Sequence, residues 1–93
     1  MKKFIPKFLS EANNIRVNVT HVYIHKNAWD ILGNPQRIDI YYDEVKKAIQ
    51  VKSSETGLLY VKGNRQVNCQ LSKIMPMGNY IYSKEAEAFI FCD

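Results

Sequence analysis

The chain has 93 residues, of which 46% are hydrophobic and 12% aromatic, and its formal net charge at pH 7 is +4. This composition excludes an intrinsically disordered chain and predicts a single small domain over residues 1–93. No stretch approaches the ~20 apolar residues of a membrane span, and two cysteines are too few for a disulfide scaffold, so we expect a cytoplasmic protein.

Residues 1–12 predict an N-terminal arm. Phe4, Ile5, Phe8 and Leu9 have helical spacing, but Pro6 interrupts it. The same proline and the short apolar run do not fit a secretory signal peptide, so we interpret the segment as an arm whose phenylalanines pack on the rest of the protein.

Residues 15–25 alternate between apolar and polar side chains, which is typical of a half-buried strand. Val17 and Val19 have odd numbers, whereas Val22 and Ile24 have even numbers. Because side chains alternate with a period of two, this shift predicts a bulge or a tight turn near Thr20.

The segment 26–32, KNAWDIL, predicts a short helix. Asn27 is a candidate N-cap, and Gly33 followed by Pro35 ends the helix. Two turns of helix are not stable alone, so we expect Trp29 to lie in the core against a sheet.

The second half of the chain predicts a β-hairpin and further strands. RIDIYYD and KAIQVK alternate on either side of the turn DEVK, and LLYVK, NYIYS and AFIFC predict three more strands. The spacing of apolar residues in VNCQLSKIM predicts another short helix. Together these elements predict an α+β fold, a small antiparallel sheet with two or three short helices.

The order of elements over residues 22–52 resembles the AbrB/MazE-type swapped-hairpin domain. The matching features are Val22 and Ile24 before the helix, the Leu32-Gly33 step after it, and the hairpin RIDIYYDEVKKAIQVK. This resemblance implies an obligate dimer that binds DNA through basic residues. The segment, with NYIYSKEAEAFIF, is also similar to small uncharacterised phage and prophage proteins. This second resemblance implies no role for any residue of the chain.

No pattern in the sequence predicts catalysis, a metal site or a cofactor. Asp43 and Glu44 are adjacent in a turn, whereas paired catalytic carboxylates face each other across a cleft. His21 and His25 lack further ligands at a metal-binding spacing, and phosphate-binding glycine loops are absent from the sequence. We therefore expect a protein that is not an enzyme and has no small-molecule substrate.

Two classes of partner remain open, nucleic acid and a host protein, and neither involves a membrane. For nucleic acid, the candidate phosphate contacts are Lys26, Arg37, Lys46 and Lys47. For a protein partner, as in an anti-defence, anti-CRISPR-like inhibitor, the candidate anchors are Tyr41 and Tyr60, since aromatic residues dominate such interfaces. In either case we expect a homodimer, because several short strands leave sheet edges to be covered.

Overall fold

The computed structural model describes residues 14–92, and strands are the commonest secondary structure among them. In chain order the elements are β1 (Asn14–Val17), β2 (His21–Ile24), α1 (Lys26–Ile31), β3 (Arg37–Asp43), β4 (Ala48–Ser53), β5 (Leu59–Tyr60), β6 (Gln66–Asn68), a 3-10 helix (Leu71–Lys73), β7 (Gly78–Ser83) and β8 (Ala88–Cys92). The arm predicted for residues 1–12 lies outside the described residues.

The eight strands form one antiparallel sheet in the order β5-β3-β4-β8-β7-β1-β2-β6. The first and last strands of that order, β5 and β6, contact each other, so the sheet is curved into a nearly closed barrel. A turn over residues 62–66 joins them, and the amide of Lys62 donates to the carbonyl of Gln66 at 3.0 Å.

The predicted α+β class is therefore wrong. Strand accounts for 47% and helix for only 11% of the structure, with α1 as the lone α-helix among residues 14–92. The helix predicted from VNCQLSKIM is instead β6 followed by a 3-10 turn. Val67 pairs across the sheet with Val22, and this partner outweighs the helical spacing of the segment.

Several local predictions are confirmed. A turn separates β1 from β2, where the amide of Asn18 donates to the carbonyl of His21 at 2.8 Å, and β3 pairs with β4 as a hairpin. The helix spans Lys26–Ile31, close to the predicted 26–32, but its N-cap is His25, so the prediction of Asn27 as N-cap is wrong. Gly33 follows the helix at a φ of +85°, a conformation that favours glycine.

Trp29 lies at the margin of the core rather than inside it. Its side chain is half-buried against the core, and its indole Nε1 donates to the carbonyl of Pro35 at 3.1 Å. An indole N–H needs such a polar partner when it leaves water, which explains why the residue sits where a loop carbonyl is available.

The interior is filled by the inward-facing side chains of most of the strands. The largest of those that are fully buried are Tyr80, Phe89, Ile15, Ile24, Ile38 and Ile49. Because strand side chains alternate, the residues between these point outward and form the surface of the barrel. Within residues 14–92, no helix has the length and apolar character needed to cross a membrane.

Candidate functional site

The four predicted phosphate contacts do not form one cluster. Lys26 begins α1, Arg37 begins β3, and Lys46 and Lys47 lie in the turn after β3. Since β3 runs from residue 37 to residue 43, its two ends are about 20 Å apart along an extended strand.

The two predicted protein anchors share one surface, the outer side of β3, β4 and β5. Tyr41 is 52% exposed with the Lys52 ammonium 5.5 Å from its ring centre, and Tyr60 is 56% exposed with the Arg37 guanidinium 5.9 Å from its ring centre. Asp39 lies between them and pairs with Lys52 across the sheet. We call this surface, Arg37, Asp39, Tyr41, Lys52 and Tyr60, the tyrosine face.

A second surface lies on the outer side of β1 and β2, with the turn that leads into β6. Its central residues are Arg16, Tyr23, His25 and Arg65, which we call the basic face. Tyr23 pairs across the sheet with Arg16 on β1 and with Gln66 on β6. Arg65 immediately precedes Gln66 in the chain. Sheet pairing thus brings together residues that are up to 49 positions apart in the chain.

Arg65 is fixed in position by both its backbone and its side chain. Its φ of 62° is in the left-handed region, which is unfavourable for a residue with a Cβ. The guanidinium Nε donates to the carbonyl of Ile24 at 3.1 Å, and one Nη donates to the Tyr23 hydroxyl at 2.9 Å. The guanidinium carbon lies 5.8 Å from the Tyr23 ring centre, so the arginine and the tyrosine hold each other in place.

Arg16 is exposed, and among the described residues its guanidinium donates hydrogen bonds to amide oxygens. Its Nε donates to Oδ1 of Asn18 at 3.2 Å, and its Nη1 donates to Oδ1 of Asn79 at 3.4 Å. The same Asn79 oxygen accepts a bond from Asn14 at 3.1 Å. The positive charge of Arg16 is therefore hydrogen-bonded without being neutralised by these neighbours.

His25 lies in the field of both arginines. Its ring contacts that of Tyr23 edge-on, with the centroids 4.9 Å apart and an interplanar angle of 80°. Partial burial lowers the pKa of His25 below its usual value, and the positive charges of Arg65 and Arg16 lower that pKa further. The two arginines therefore add positive potential at this ring, beside the larger effect of its burial.

No acidic residue of the described chain lies on β1, β2, β6 or β7. The sequence has no aspartate or glutamate over residues 12–29 or 56–84, the two segments that supply these strands and the basic face. Between residues 14 and 92, carboxylates occur on α1, on β3, in the loop after β4 and in the two hairpin turns, at Asp30, Asp39, Asp43, Glu44, Glu55, Glu85 and Glu87.

Sequence reasoning missed Arg16, Tyr23 and His25 as a surface. The available signal was the pair of acid-free segments, which the overall net charge of +4 conceals. Which outward residues of those segments meet depends on the pairing of β1, β2 and β6, and that pairing is not visible in local alternation.

The structure also describes the residues that could bind a metal or act as a nucleophile. Between residues 14 and 92 no three histidine, cysteine, aspartate or glutamate side chains come together as metal ligands. Partial burial raises the pKa of the Cys69 thiol, which makes this group a weaker nucleophile at neutral pH. Comparison of the chain with family models, with curated proteins and with solved structures finds no match.

Proposed function

We propose that this chain is a small non-enzymatic cytoplasmic protein that binds nucleic acid on its basic face. The observation that carries the proposal is the pair Arg16 and Arg65, fixed on one outer surface whose strands bear no carboxylate. Solvated surfaces of small proteins usually mix both signs of charge, whereas phosphate binding favours a surface of one sign. The resemblance of residues 22–52 to swapped-hairpin domains implies that the nucleic acid is DNA and that the protein acts as a DNA-binding regulator.

The geometry of the two guanidinium groups suits phosphate. Arginine presents five N–H donors in a planar fork that matches phosphate oxygens. Arg16 uses Nε and Nη1, and Arg65 uses Nε and Nη2, for bonds within the described chain. Within residues 14–92, those bonds use only part of each guanidinium, so other N–H donors remain for a ligand. The internal bonds fix the forks, so less side-chain entropy is lost on binding.

The test is a comparison of two double variants with the same loss of charge. Arg16→Gln with Arg65→Gln removes the basic face, and Lys46→Gln with Lys47→Gln removes the turn lysines. Binding of a labelled nucleic acid is measured by fluorescence anisotropy over a range of salt concentrations. We expect the arginine pair to weaken binding and to flatten the slope of log K against log salt by about 0.7–0.9 for each phosphate that the variant no longer binds.

The lysine pair serves as the control, because net charge falls by two in both variants. Equal weakening by both pairs would show a non-specific effect of net charge and would contradict the basic face. Weakening by the lysine pair alone would instead support the contacts predicted from the sequence. Circular dichroism melting of all variants checks that the fold is retained.

A second candidate function, inhibition of a host protein, is favoured by the tyrosine face. Two half-exposed tyrosines, each under a cation, lie beside Leu58, which is 90% exposed and whose amide donates to Asp39 at 3.0 Å. Tyrosine and arginine are enriched among the energetically dominant residues of protein interfaces. The carboxylate of Asp39 repels phosphate, so this surface suits a protein better than a nucleic acid.

The two candidates are separated by a phage assay. Plaque formation is measured on bacteria that carry a nuclease-based defence and express the chain or a variant of it. If the chain inhibits the defence through the tyrosine face, the Tyr41→Ala and Tyr60→Ala variants should no longer protect the phage. The double variant Arg16→Gln with Arg65→Gln should still protect it. The opposite pattern would place the inhibition on the basic face, and no protection by the unmodified chain would contradict inhibition of that defence.

A further inference from the structure

We infer that the basic face binds single-stranded rather than duplex nucleic acid, with Tyr23 as the side chain on which a base stacks. This inference rests on the proposed function, since it assigns the class of nucleic acid to the same site. Three features of the structure carry it: the shape of the surface, the aromatic rings at its centre, and the surrounding amides.

The shape of the described structure does not suit the grooves of a duplex. Reading the major groove requires a projecting helix or two-stranded ribbon. The helix α1 has six residues, of which Lys26 is the only cation. The ribbon of β3 and β4 pairs with β8 at its turn end, so it does not stand free of the sheet. Its turn mixes the carboxylates of Asp43 and Glu44 with the ammonium groups of Lys46 and Lys47, which weakens its attraction for phosphate.

The outer surface of a curved sheet suits unpaired bases. Proteins that bind single strands combine cations with aromatic side chains on which bases stack. Tyr23 faces outward near the centre of β1, β2 and β6, with Arg16 opposite it on one strand and Arg65 donating to its hydroxyl. The edge-on contact with His25 restricts the ring further. Tyr23 is thus an oriented ring between two phosphate-binding groups.

The polar neighbours on this surface are amides, which donate and accept hydrogen bonds. Gln66 pairs with Tyr23 across the sheet, and Asn79 accepts a bond from Arg16. Amides can meet the exposed edge of an unpaired base in either role, whereas a carboxylate in the same place would only accept. In a duplex these base edges are paired or lie within a groove.

Three probes of about 15 nucleotides, near the upper site size of a small single-strand-binding barrel, test the inference. They are fluorescein-labelled oligothymidylate, oligouridylate and a duplex DNA of the same length. Anisotropy titrations use the unmodified protein, Tyr23→Leu, Tyr23→Phe and Tyr60→Leu. The last variant is the matched comparison, because Tyr60 also lies under an arginine, with Arg37 at 5.9 Å against Arg65 at 5.8 Å for Tyr23.

We expect both single strands to bind more tightly than the duplex. Tyr23→Leu should weaken single-strand binding by about 5-fold to 100-fold, the range of one stacked base, and Tyr23→Phe should retain most of it. Tyr60→Leu should bind as the unmodified protein does. A preference between the thymidylate and uridylate probes then distinguishes DNA from RNA as the natural ligand.

Other outcomes separate the inference from the proposed function. Duplex binding as tight as single-strand binding, or unchanged binding by Tyr23→Leu, would overturn the single-strand inference while the basic face stands. Weaker binding by Tyr60→Leu with unchanged binding by Tyr23→Leu would place the nucleic acid on the tyrosine face and overturn both. Binding of none of the three probes at low salt would overturn the proposed function itself.

Discussion

At the scale of residues, His25 should make nucleic-acid binding depend on pH. In the free protein the pKa of His25 is lowered by burial and by the charges of Arg65 and Arg16. A bound phosphate offsets those charges and raises the pKa, so binding is coupled to uptake of a proton. Affinity should therefore rise as pH falls from neutrality through the usual histidine range, because a protonated ring adds a third cation beside the phosphate.

The measurement is a series of anisotropy titrations at constant ionic strength. His25→Asn should remove most of the rise in affinity, whereas His21→Asn, at the first residue of β2, should leave it. If affinity does not change with pH in the unmodified protein, His25 does not lie against the ligand.

Tyr80 is a residue whose hydroxyl supports the core. It is fully buried, its hydroxyl donates to the carbonyl of Pro76 at 2.6 Å, and burial raises its pKa to about 12. Because the unfolded chain loses this proton near pH 10 and the folded chain retains it, Tyr80 contributes a loss of stability as pH rises from about 10 towards 12. Below about pH 10 both states keep the proton and Tyr80 adds no pH dependence.

Replacement of Tyr80 by phenylalanine should lower the free energy of unfolding by about 1–3 kcal/mol at pH 7, because the partly buried Pro76 carbonyl loses its partner. Denaturant unfolding checks this value, with Tyr82→Phe as the comparison because Tyr82 is only half-buried. Melting temperatures of Tyr80→Phe should also fall less steeply above pH 10 than those of the unmodified protein. An equal fall would contradict the assigned pKa.

At the scale of elements, a strand could be predicted from the sequence when the strand that it pairs with lies nearby in the chain. The β3–β4 hairpin was predictable because RIDIYYD and KAIQVK alternate beside the strand they pair with. The helix predicted around Val67 was wrong because its partner, Val22, is 45 residues away and carries no local signal. The basic face escaped prediction for the same reason, since Arg65 meets Tyr23 only after β6 has paired with β2.

The two longer hairpins use the same turn. Asp43 accepts bonds from the amides of Val45 and Lys46, and Ser83 accepts one from the amide of Ala86. In both turns the residue just before the second strand has a φ of 51°, at Lys47 and at Glu87. Since this conformation is unfavourable for any residue with a Cβ, both turns contain a position where glycine fits better.

Glu87→Gly should therefore raise the free energy of unfolding, by about 0.5–1 kcal/mol after the greater backbone entropy of glycine is deducted. The control is Glu85→Gly in the same turn, which removes the same charge at a residue whose φ is not positive and should be destabilising. Thermal melting of both variants checks the difference. If Glu85→Gly were the more stable of the two, the turn geometry would be different from that described.

At the scale of the whole molecule, the curvature of the sheet changes the argument for a dimer. Self-association was expected because short strands leave edges exposed. In the structure the two edge strands have only two and three residues and contact each other, so little edge is left for a second chain. Dimerisation stays a prediction, but a dimer would have to form through a face of the barrel.

The tyrosine face is the surface of the described residues best suited to that contact. It carries Tyr41, Tyr60 and the neighbouring Leu58, and its charges Arg37 and Asp39 can pair with their counterparts in a two-fold arrangement. The basic face is unsuited, because two copies would bring four arginines together. Sedimentation velocity at several concentrations should show a dimer that dissociates in Tyr60→Ser and persists in Arg16→Gln. A dimer that survives Tyr60→Ser together with Leu58→Ser would contradict this contact, and a monomer at all concentrations would remove the dimer and leave the tyrosine face open to other partners.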